Sequence, residues 1–422
     1  MARLRTSGSR CGASGRDETM VKKPVRSIIE AVAVAADRWS RADFPARLRA
    51  LGMVSARTGY CVPVVEYAFD CLFGSLRYDA IEATIAGELG SVDVLDDFAG
   101  RAARPPARAL PVGTVCIVSS RTTVGVAIVP AIFALCAKCR VVVKDRDDAL
   151  VAAFFATLAD ELEELRAAAV AQTWKGDSDA TNLRGFEAVV AFGRDATMIQ
   201  LAKELDFSTR LIAYGSKAGA GYVARESLET EEAARAIARG ASLDLILYET
   251  EGCLSLHALF VERGGRVSPR RFGEILAAQI ETDLRYFAPA AVDSGSRARV
   301  AMARDLALFR AGTGGRVHAD RDASYLVVPD PPFEEPPLFL PRTIGVRAVN
   351  EVSEAAAYFR HHGISLEALA VSHSRPELIE LAIEAGASRL TQFGRLQAPP
   401  LGTFHGGRPR ISEFVRWIVD ET

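Results

Sequence analysis

The strongest constraint on the fold lies between residues 112 and 215, where short apolar runs alternate with segments of helical periodicity. Short and almost uninterrupted apolar runs are typical of strands that are buried on both faces, as in parallel sheets. Strands that alternate with helices predict a doubly wound, parallel sheet. Strands are predicted at 112–120, 140–145, 187–193 and 210–215, and helices at 124–137, 148–169 and 195–205.

Cations and a glycine stand at two of the predicted strand ends, which is where ligands of parallel sheets bind. Lys144 lies at the end of the strand at 140–145, and Arg146 follows closely. These long cations could hold the ribose hydroxyls or the 2′-phosphate of a dinucleotide, or they could be solvated charges. Gly193 ends the next strand and Arg194 opens a helix. This glycine would let phosphate oxygens approach backbone N–H groups, although an ordinary strand-to-helix turn has the same pattern.

Cys253 is the candidate nucleophile of the chain. It follows a glycine in the stretch YETEGCLSLHALFVE (248–262). We interpret DLILYE (244–249) as a buried strand before an acidic turn, and LHALFVE (256–262) as the next strand. A thiolate is the strongest side-chain nucleophile near neutral pH, and a bulky acyl group can approach a cysteine at such a junction. The alternative is a buried structural cysteine.

Three polar residues close to Cys253 are further candidates for the site. His257 shares one face of the predicted strand with the cysteine. It could position the site or act as an acid, or it could be a packed histidine. Glu249 and Glu251 flank the cysteine as turn residues, and either could orient a ligand.

The composition argues against several classes of protein. A formal net charge of -2 does not suit a general nucleic-acid binder. The longest apolar run, at 124–137, is too short to span a bilayer and contains a proline. The seven cysteines follow no regular framework, which favours free thiols in a reducing cytoplasm. Cys136 and Cys139 have CxxC spacing but no second pair, so no metal site is predicted.

The order of elements resembles the aldehyde dehydrogenase superfamily, in which the strand–helix–strand at 115–145 ends in a cofactor-binding lysine. More specifically, the chain is similar to the acyl-CoA reductase family typified by LuxC, the fatty-acid reductase component of bacterial bioluminescence. The resemblance runs from residue 30 to the C terminus. It rests on ARLRALGMVSARTGYC (46–61), AFGRDATM (191–198), YGSK (214–217), EGCLSLH (251–257), PRTIGV (341–346) and GRLQAPPLGTFHGGRPRISEFVRWIVDE (394–421).

The resemblance implies an α/β fold with a doubly wound Rossmann-type cofactor domain and a second α/β catalytic domain. It implies that Cys253 is the nucleophile, that Lys144 binds the cofactor ribose, and that Gly193 and Arg194 form the turn beneath the pyrophosphate. In the family's reaction the thiolate attacks a thioester carbonyl, CoA leaves, and hydride from NADPH, with NADH as the other candidate, yields an aldehyde. The donor is acyl-CoA or an acyl-protein thioester, and an acyl-protein synthetase is a candidate partner.

The sequence departs from its relatives at four positions near the site. Aldehyde dehydrogenases carry a water-activating glutamate where Ala213 stands, and its loss favours thioester reduction over aldehyde oxidation. Arg121 falls near the superfamily's oxyanion-binding asparagine, and it could donate to the oxyanion or bind a phosphate. The reductase family usually has a histidine at Ser216 and a proline at Leu256. The alternatives are therefore an aldehyde dehydrogenase working in the oxidative direction and a non-catalytic scaffold.

The pattern and the resemblance together divide the chain into segments, and we also expect a homo-oligomer. Residues 101–111 are predicted to be an irregular connection because they are rich in arginine and proline. Residues 219–228 are predicted to enter a helix at 230–243. The segments are a disordered tail that lacks the apolar stretch of a secretory signal (1–23), a helical segment packed on the cofactor domain (24–111), the NAD(P)-binding domain (112–212), the catalytic domain (213–390) and a C-terminal segment (391–422).

Overall fold

A layer of four helices opens the part of the chain that the computed structural model describes, which is residues 21–101, 104–120, 122–145, 149–174, 182–290, 294–311 and 317–422. The helices are α1 (Val25–Ser40), α2 (Pro45–Thr58), α3 (Val62–Ser75) and α4 (Tyr78–Leu89). A proline in the first turn begins α2 and α3, and Gly59 ends α2 with a φ of +78°. The buried Trp39 donates from Nε1 to Thr157 Oγ1 at 2.9 Å, which joins this layer to the helix at Leu150–Glu161.

A small antiparallel sheet corrects the prediction of an irregular connection at 101–111. Its order is β1 (Ala99–Arg101), β2 (Arg104–Pro111) and β15 (Val415–Val419). The prolines of β2 are tolerated because its ladder to β15 begins only at Ala107, after the first two of them. The carbonyl of Pro106 still accepts the N–H of Asp420 at 2.9 Å.

The first large sheet has the parallel, doubly wound form that the alternating sequence predicts. Its order is β5-β4-β3-β6-β7, and the pairing of neighbours is parallel throughout. The near-continuous apolar runs follow from burial of β3, β4 and β6 on both faces. The elements are β3 (Thr114–Val118), α5 (Ile128–Cys136), β4 (Arg140–Lys144), α6 (Leu150–Glu161), α7 (Leu165–Ala168), β5 (Ala169–Gln172), β6 (Ala188–Phe192), α8 (Asp195–Glu204) and β7 (Arg210–Tyr214).

The second large sheet carries the Cys253 segment. Its order is β10-β11-β12-β9-β8-β13-β14, and only the β10–β11 pair is antiparallel. The elements are β8 (Ala218–Val223), α9 (Glu231–Ile246), β9 (Leu256–Glu262), α10 (Pro269–Asp283), α11 (Ser294–Ala311), β10 (His318–Ala319), β11 (Leu326–Pro329), β12 (Thr343–Val349), α12 (Val352–His362), β13 (Leu366–Val371), α13 (Pro376–Glu384) and β14 (Arg389–Thr391).

One prediction about this second half is incomplete and one is wrong. Residues 219–228 lead into the helix predicted at 230–243, which is α9, but β8 occupies 219–223 and a 3₁₀ turn follows at Arg225–Leu228. Residues 244–249 form no strand, because α9 continues to Ile246 and a 3₁₀ turn follows at Leu247–Thr250. A short apolar run does not distinguish a buried strand from the buried face of a helix. The buried residues of α9 recur at helical spacing, at Ala234, Ala238, Ala241 and Leu245.

A cleft lies between the two large sheets. The strands of the first sheet lie between residues 114 and 214, those of the second between 218 and 391. β7 ends at Tyr214 and β8 begins at Ala218, so only residues 215–217 connect the sheets. The carboxyl ends of β6 and β7 therefore face the amino ends of β8, β9 and β13 across the cleft. The domain boundaries at 112, 213 and 391 stay a prediction.

Two kinds of feature are missing from the described ranges. No helix there combines the length and the apolar character that crossing a bilayer requires. No group of three or more His, Cys, Asp or Glu side chains in the same ranges is arranged to hold a metal ion.

Candidate active site

A cavity of about 570 Å³ occupies the cleft between the two large sheets. Gly193 and Arg194, in the turn after β6, line one side of it. Lys217, Cys253 and Glu367 line the other side, at the amino ends of β8, β9 and β13. The structure therefore brings the predicted nucleophile and the predicted pyrophosphate turn into one cavity.

The turn before the nucleophile has a left-handed backbone at three consecutive residues. Tyr248, Glu249 and Thr250 have φ angles of +56°, +58° and +60°. Each such residue costs on the order of 1 kcal/mol, and the conformation persists only where surrounding contacts hold it. Thr250 Oγ1 donates to the carbonyl of Leu245 at 2.7 Å and accepts the N–H of Arg342 at 3.0 Å. The reversal lets α9 end and the cysteine reach the cavity before β9 begins.

A buried ion pair fixes this turn to the start of β12. Glu249 and Arg342 pair with each other and are only 7% and 3% exposed. Glu249 Oε1 also accepts the N–H of Ala290 at 3.0 Å, and Arg342 Nε donates to the carbonyl of Ser324. Burial lowers the pKa of Arg342 to about 10, which still leaves it charged at neutral pH. Removal of either partner would leave a buried charge uncompensated, so the pair holds the turn in place.

His257 is a neutral, fully hydrogen-bonded side chain beside the same turn. The N–H of Gly219 donates to Nδ1 at 3.3 Å, so the proton is assigned to Nε2, which donates to the carbonyl of Thr250 at 2.9 Å. Burial lowers the pKa of the imidazole to about 4. The ring therefore ties β8 to the turn, and proton transfer through it would break one of these two bonds.

Cys253 is a partly exposed residue that lines the cavity. Its pKa is raised to about 12, chiefly by burial and then by the carboxylate of Glu367. The backbone N–H groups of Cys253 and Leu254 and the ammonium of Lys217 act in the opposite direction. The thiol is therefore protonated at rest, and attack on a substrate requires a group that takes up its proton.

The turn between β6 and α8 holds the residues predicted to contact a pyrophosphate. The N–H of Gly193 donates to the carbonyl of Tyr214 at 3.1 Å, and a Cβ on Gly193 would come within 3.3 Å of a side chain of α8. Arg194 is exposed and precedes the first residue of α8. Asp195 donates from its N–H to Ser216 Oγ at 3.3 Å, and Ser216 donates from its N–H to Asp195 Oδ1 at 2.7 Å. These two bonds tie the turn to the connection between the sheets.

The predicted ribose lysine lies two strands away from that turn. Lys144 ends β4, and β3 separates β4 from β6. Its side chain is only 1% exposed, and its ammonium lies 5.3 Å from the centre of the Trp174 ring. The other two predicted cations, Arg121 and Arg146, lie outside the described residues.

Three titratable residues of the cavity are not among the candidates that the sequence provides. Lys217 and Glu367 face each other, with Nζ and Oε2 3.7 Å apart. His405 packs edge-on against Tyr214, with 4.7 Å between ring centres. Burial, followed by nearby arginine and lysine charges, lowers the pKa of His405 to about 3, so it is neutral. Lys217 lies within the YGSK stretch, but its role depends on which strands lie beside β8, and sequence spacing does not reveal this.

An apolar side cavity of about 420 Å³ adjoins the main one. The two share eight lining residues, which are Thr123, Val126, Phe192, Tyr214, Tyr248, Leu254, Gln397 and His405. Beyond them the side cavity extends between α3, the start of α5 and the C-terminal segment at 395–414. An apolar chamber that opens beside a nucleophile suits the hydrocarbon part of a substrate.

Comparison with known proteins identifies the family. The family model described as acyl-CoA reductase (LuxC) matches residues 20–417. No curated protein matches the chain in sequence. The matched range contains the nucleophile segment at 251–257.

Solved structures show the fold. An oxidoreductase from Marinobacter aquaeolei is 14% identical, with 96% of this chain and 88% of that chain covered and a TM-score of 0.70. Aldehyde dehydrogenase 21 from Physcomitrella patens is 11% identical over 96% of this chain and 87% of that one, with a TM-score of 0.70. The NADP complex of glyceraldehyde-3-phosphate dehydrogenase from Methanocaldococcus jannaschii is 11% identical over 96% and 91%, with a TM-score of 0.67.

These likenesses confirm the predicted α/β fold, which resembles that of aldehyde dehydrogenases. Together with the family match, they support an oxidoreductase that acts on aldehyde or acyl groups. The chain belongs to the LuxC family of acyl-CoA reductases.

Proposed function

We propose that the protein reduces a fatty acyl thioester to an aldehyde, with NADPH as hydride donor, through an acyl group held on Cys253. The observation that carries the proposal is that the partly exposed Cys253 lies in the same cavity as Gly193 and Arg194. An acyl group on the cysteine and a cofactor bound at the strand ends would then meet within one enclosed space.

The residues around Cys253 suit the acyl-transfer steps. The sulfur attacks the thioester carbon, and CoA leaves as a thiolate when the tetrahedral adduct collapses. The backbone N–H groups of Cys253 and Leu254 lie at the sulfur and are placed to stabilise the oxyanion of that adduct. After hydride delivery, the oxyanion of the hemithioacetal on Cys253 collapses and releases the aldehyde together with the cysteine thiolate.

The turn after β6 fits the phosphate part of the cofactor. Gly193 presents no side chain, and the amino end of α8 directly behind it offers backbone N–H groups to an anion. Arg194 is exposed beside it, and Lys144 is the candidate for the ribose. NADPH supplies the hydride when it is bound. Arg121 remains the candidate for the oxyanion or a phosphate, and Arg146 for the 2′-phosphate, as the sequence suggests.

The side cavity supports a hydrocarbon substrate. It begins at Leu254, next to the nucleophile, and its walls include Ala68, Leu72 and Phe414. We assign the acyl chain to this space, because apolar surface there can be removed from water when the thioester carbonyl reaches Cys253. The CoA or protein part of the donor would then remain on the other side of the sulfur.

The residue at position 213 favours reduction over aldehyde oxidation. Ala213, on β7, has no carboxylate to activate a hydrolytic water. An oxidative enzyme would convert an aldehyde to its acid without CoA, and an assay for that acid distinguishes the two directions.

The donor and the cofactor can be identified on the intact protein. The protein is incubated with acyl-CoA esters of different chain length, or with acyl-protein thioesters, and the mass gain on Cys253 is measured before any cofactor is added. Titration with NADPH and NADH then compares the two cofactors. The irregular spacing of the cysteines favours a reducing compartment such as the cytoplasm. Mass measurement in solution would test the expected homo-oligomer.

Replacement of the nucleophile is the direct test of the proposal. We expect Cys253→Ala to lose both the acyl adduct and aldehyde formation, because no other sulfur lines the main cavity among the described residues. Binding of NADPH should change little, because Gly193 and Arg194 are untouched. Aldehyde production by the variant at the wild-type rate would refute the proposal, and wild-type protein that forms no adduct with any donor would favour a scaffold role.

A further inference from the structure

Three neighbouring strands of the second sheet begin at the main cavity, and each brings one reactive side chain. Leu366 of β13 pairs with Ala218 of β8, and Gly219 of β8 pairs with Leu256 of β9. The residues near these strand starts are Glu367, Lys217 and Cys253, and all three line the cavity. A carboxylate, an ammonium and a thiol therefore follow one another across the sheet, with Lys217, at the start of β8, between the other two.

Glu367 is a buried carboxylate with one oxygen tethered and the other turned to Lys217. It is 3% exposed, and its Oε1 accepts the N–H of Gly406 at 2.8 Å. Its Oε2 lies 3.7 Å from Lys217 Nζ, which is an ion-pair distance and longer than a hydrogen bond. Lys217 Nζ also donates to the carbonyl of Gly386 at 3.3 Å and to Ser388 Oγ at 3.4 Å. The ammonium is thus anchored from β14, and it would stay in place if the carboxylate became neutral.

The other charged groups around Glu367 are occupied by backbone carbonyls. Arg389 donates to the carbonyl oxygens of Arg395 at 3.0 Å and Leu396 at 2.5 Å. Arg410 Nε donates to the carbonyl of Thr403 at 2.8 Å. Burial raises the pKa of Glu367, while Lys217, Arg389 and Arg410 lower it.

His405 and Tyr214, two further titratable residues of the cavity, do not compete with Glu367 as proton acceptors. His405 is held neutral with a pKa of about 3, chiefly by burial, so it is a very weak base. Burial raises the pKa of Tyr214, so its phenol keeps its proton and has none of the basicity of a phenolate. Among these neighbours, the carboxylate of Glu367 is the group able to accept a proton near neutral pH.

We propose that Glu367 takes the proton from Cys253 as the sulfur attacks the thioester, and that Lys217 then stabilises the negative charge that has moved to the sulfur. The inference rests on the proposed function. Its physical basis is that the net charge of the three groups does not change. The transfer, direct or through one water, moves one negative charge from Glu367 to sulfur while the ammonium stays beside both.

The step is balanced in atoms and charge. The S–H bond of Cys253 and the bond from the acyl carbon to CoA break, and the bond from sulfur to the acyl carbon and the O–H bond of Glu367 form. CoA leaves as a thiolate and takes the proton back from Glu367, which restores the carboxylate. No oxidant or reductant takes part in this half of the reaction.

Alkylation of Cys253 by iodoacetamide tests the proposal without an acyl donor or a cofactor. The rate is followed by mass spectrometry of the Cys253 peptide as a function of pH. We expect the wild-type rate to rise as Glu367 ionises and then to reach a plateau. In Glu367→Gln the rate should instead follow ionisation of the thiol alone, rise steadily with pH, and be about 100-fold lower near neutral pH. Acylation by acyl-CoA should show the same change.

A carboxylate that only repels the thiolate would give the opposite sign, because its removal would lower the pKa of Cys253. Unchanged or faster alkylation of Glu367→Gln near neutral pH therefore overturns the proposal. Lys217→Met should keep the plateau but lower its height. Glu88→Gln is the matched control, because Glu88 also accepts backbone N–H groups of the C-terminal segment, at Arg410 and Ile411.

Two further measurements separate the possible failures. If Glu367→Gln melts far below Glu88→Gln, the wild-type plateau is compared in water and D₂O. Slower alkylation in D₂O supports proton transfer during attack by the sulfur, and equal rates overturn the proposal. Failure of the wild type to reduce any thioester would remove the proposed function, whereas the alkylation profile would still decide the role of Glu367.

Discussion

The position of Cys253 is fixed by buried side chains of the turn that precedes it and of the strands around that turn. The left-handed turn at 248–250 is anchored by the Glu249–Arg342 pair, by Thr250 and by His257. Each anchor is a buried polar side chain with a hydrogen-bond or ion-pair partner beside it. Such contacts keep a strained backbone in one conformation. The sequence identifies the cysteine and the histidine, but the histidine's two backbone partners become visible only once the strands are in register.

His257 should make stability depend on pH. The folded protein holds its pKa near 4, below the ordinary value of 6.5, because burial disfavours the charged ring. The unfolded chain therefore binds more protons between these values, and stability falls as the pH falls through this window. We expect the wild type to lose about 2 kcal/mol from this residue between about pH 7 and pH 5.

Urea unfolding at both pH values measures this effect. His257→Gln should be less stable than the wild type near neutral pH, and the difference should shrink in acid because the variant has no imidazole to charge. His361→Gln, at an exposed position on α12, is the control. A difference between wild type and His257→Gln that is the same at both pH values would contradict the expectation.

The regular elements of the first sheet could be predicted from sequence, whereas the elements next to the nucleophile could not. The strands at 140–144 and 188–192 are continuous apolar runs with clear ends. Such runs are typical of parallel strands that are buried on both faces. The run at 244–249 is equally apolar but completes a helix, because its apolar residues extend the buried face of α9. Local pattern cannot distinguish these cases, since tertiary contacts decide between them.

The sequence does not predict the strand β8, because its residues are small and two of them are glycines. The glycine at position 219 is explained by the backbone segment that lies beside this strand. A Cβ on Gly219 would lie 2.4 Å from the carbonyl oxygen of Ser255 and 2.9 Å from that of Leu254. The backbone that follows the nucleophile therefore packs directly on β8, and a glycine is required at this contact.

Gly219→Ala tests this close approach. The added methyl group meets backbone atoms that cannot rotate away, so we expect a loss of about 1–3 kcal/mol in the free energy of unfolding. Because Leu254 and Ser255 directly follow Cys253, acylation should also slow. Gly52→Ala is the control: no atom lies within 4 Å of the Cβ position there. That control lies within α2 and should gain about 0.5–1 kcal/mol. Equal unfolding midpoints for the two variants would refute the packing argument.

At the scale of the whole molecule, the site is assembled from parts that are distant in sequence. The main cavity takes Gly193 from the first sheet, Cys253 and Glu367 from the second, and His405 from the C-terminal segment. Predicting this combination requires the order and the register of the strands, and neither follows from the spacing of residues. This is why Lys217 and Glu367 are missed as candidates while the cysteine is found.

The side cavity predicts a change in chain-length preference. Gly74 of α3 lines it, and no atom lies within 4 Å of the position of a Cβ there. We expect Gly74→Trp to fold normally but to reduce long acyl thioesters at least about tenfold less efficiently than short ones, because the ring fills space meant for hydrocarbon. Gly52→Trp, with similarly open surroundings on α2, is the control. The kcat/KM values for short and long acyl-CoA esters measure the effect, and unchanged selectivity would show that the chain lies elsewhere.

The segment at 395–414 has a consequence for how the protein is made. It supplies walls to both cavities and is tethered at Glu88, Asp244 and Glu367, yet it follows both large sheets along the chain. The ribosome therefore synthesises Cys253 and β9 well before it synthesises residues 395–414, which form part of the cavity wall. Until those residues emerge from the ribosome and dock, the nascent chain holds the Cys253 sulfur in an open cleft. Such a cleft neither shields the sulfur from solvent nor confines an acyl chain.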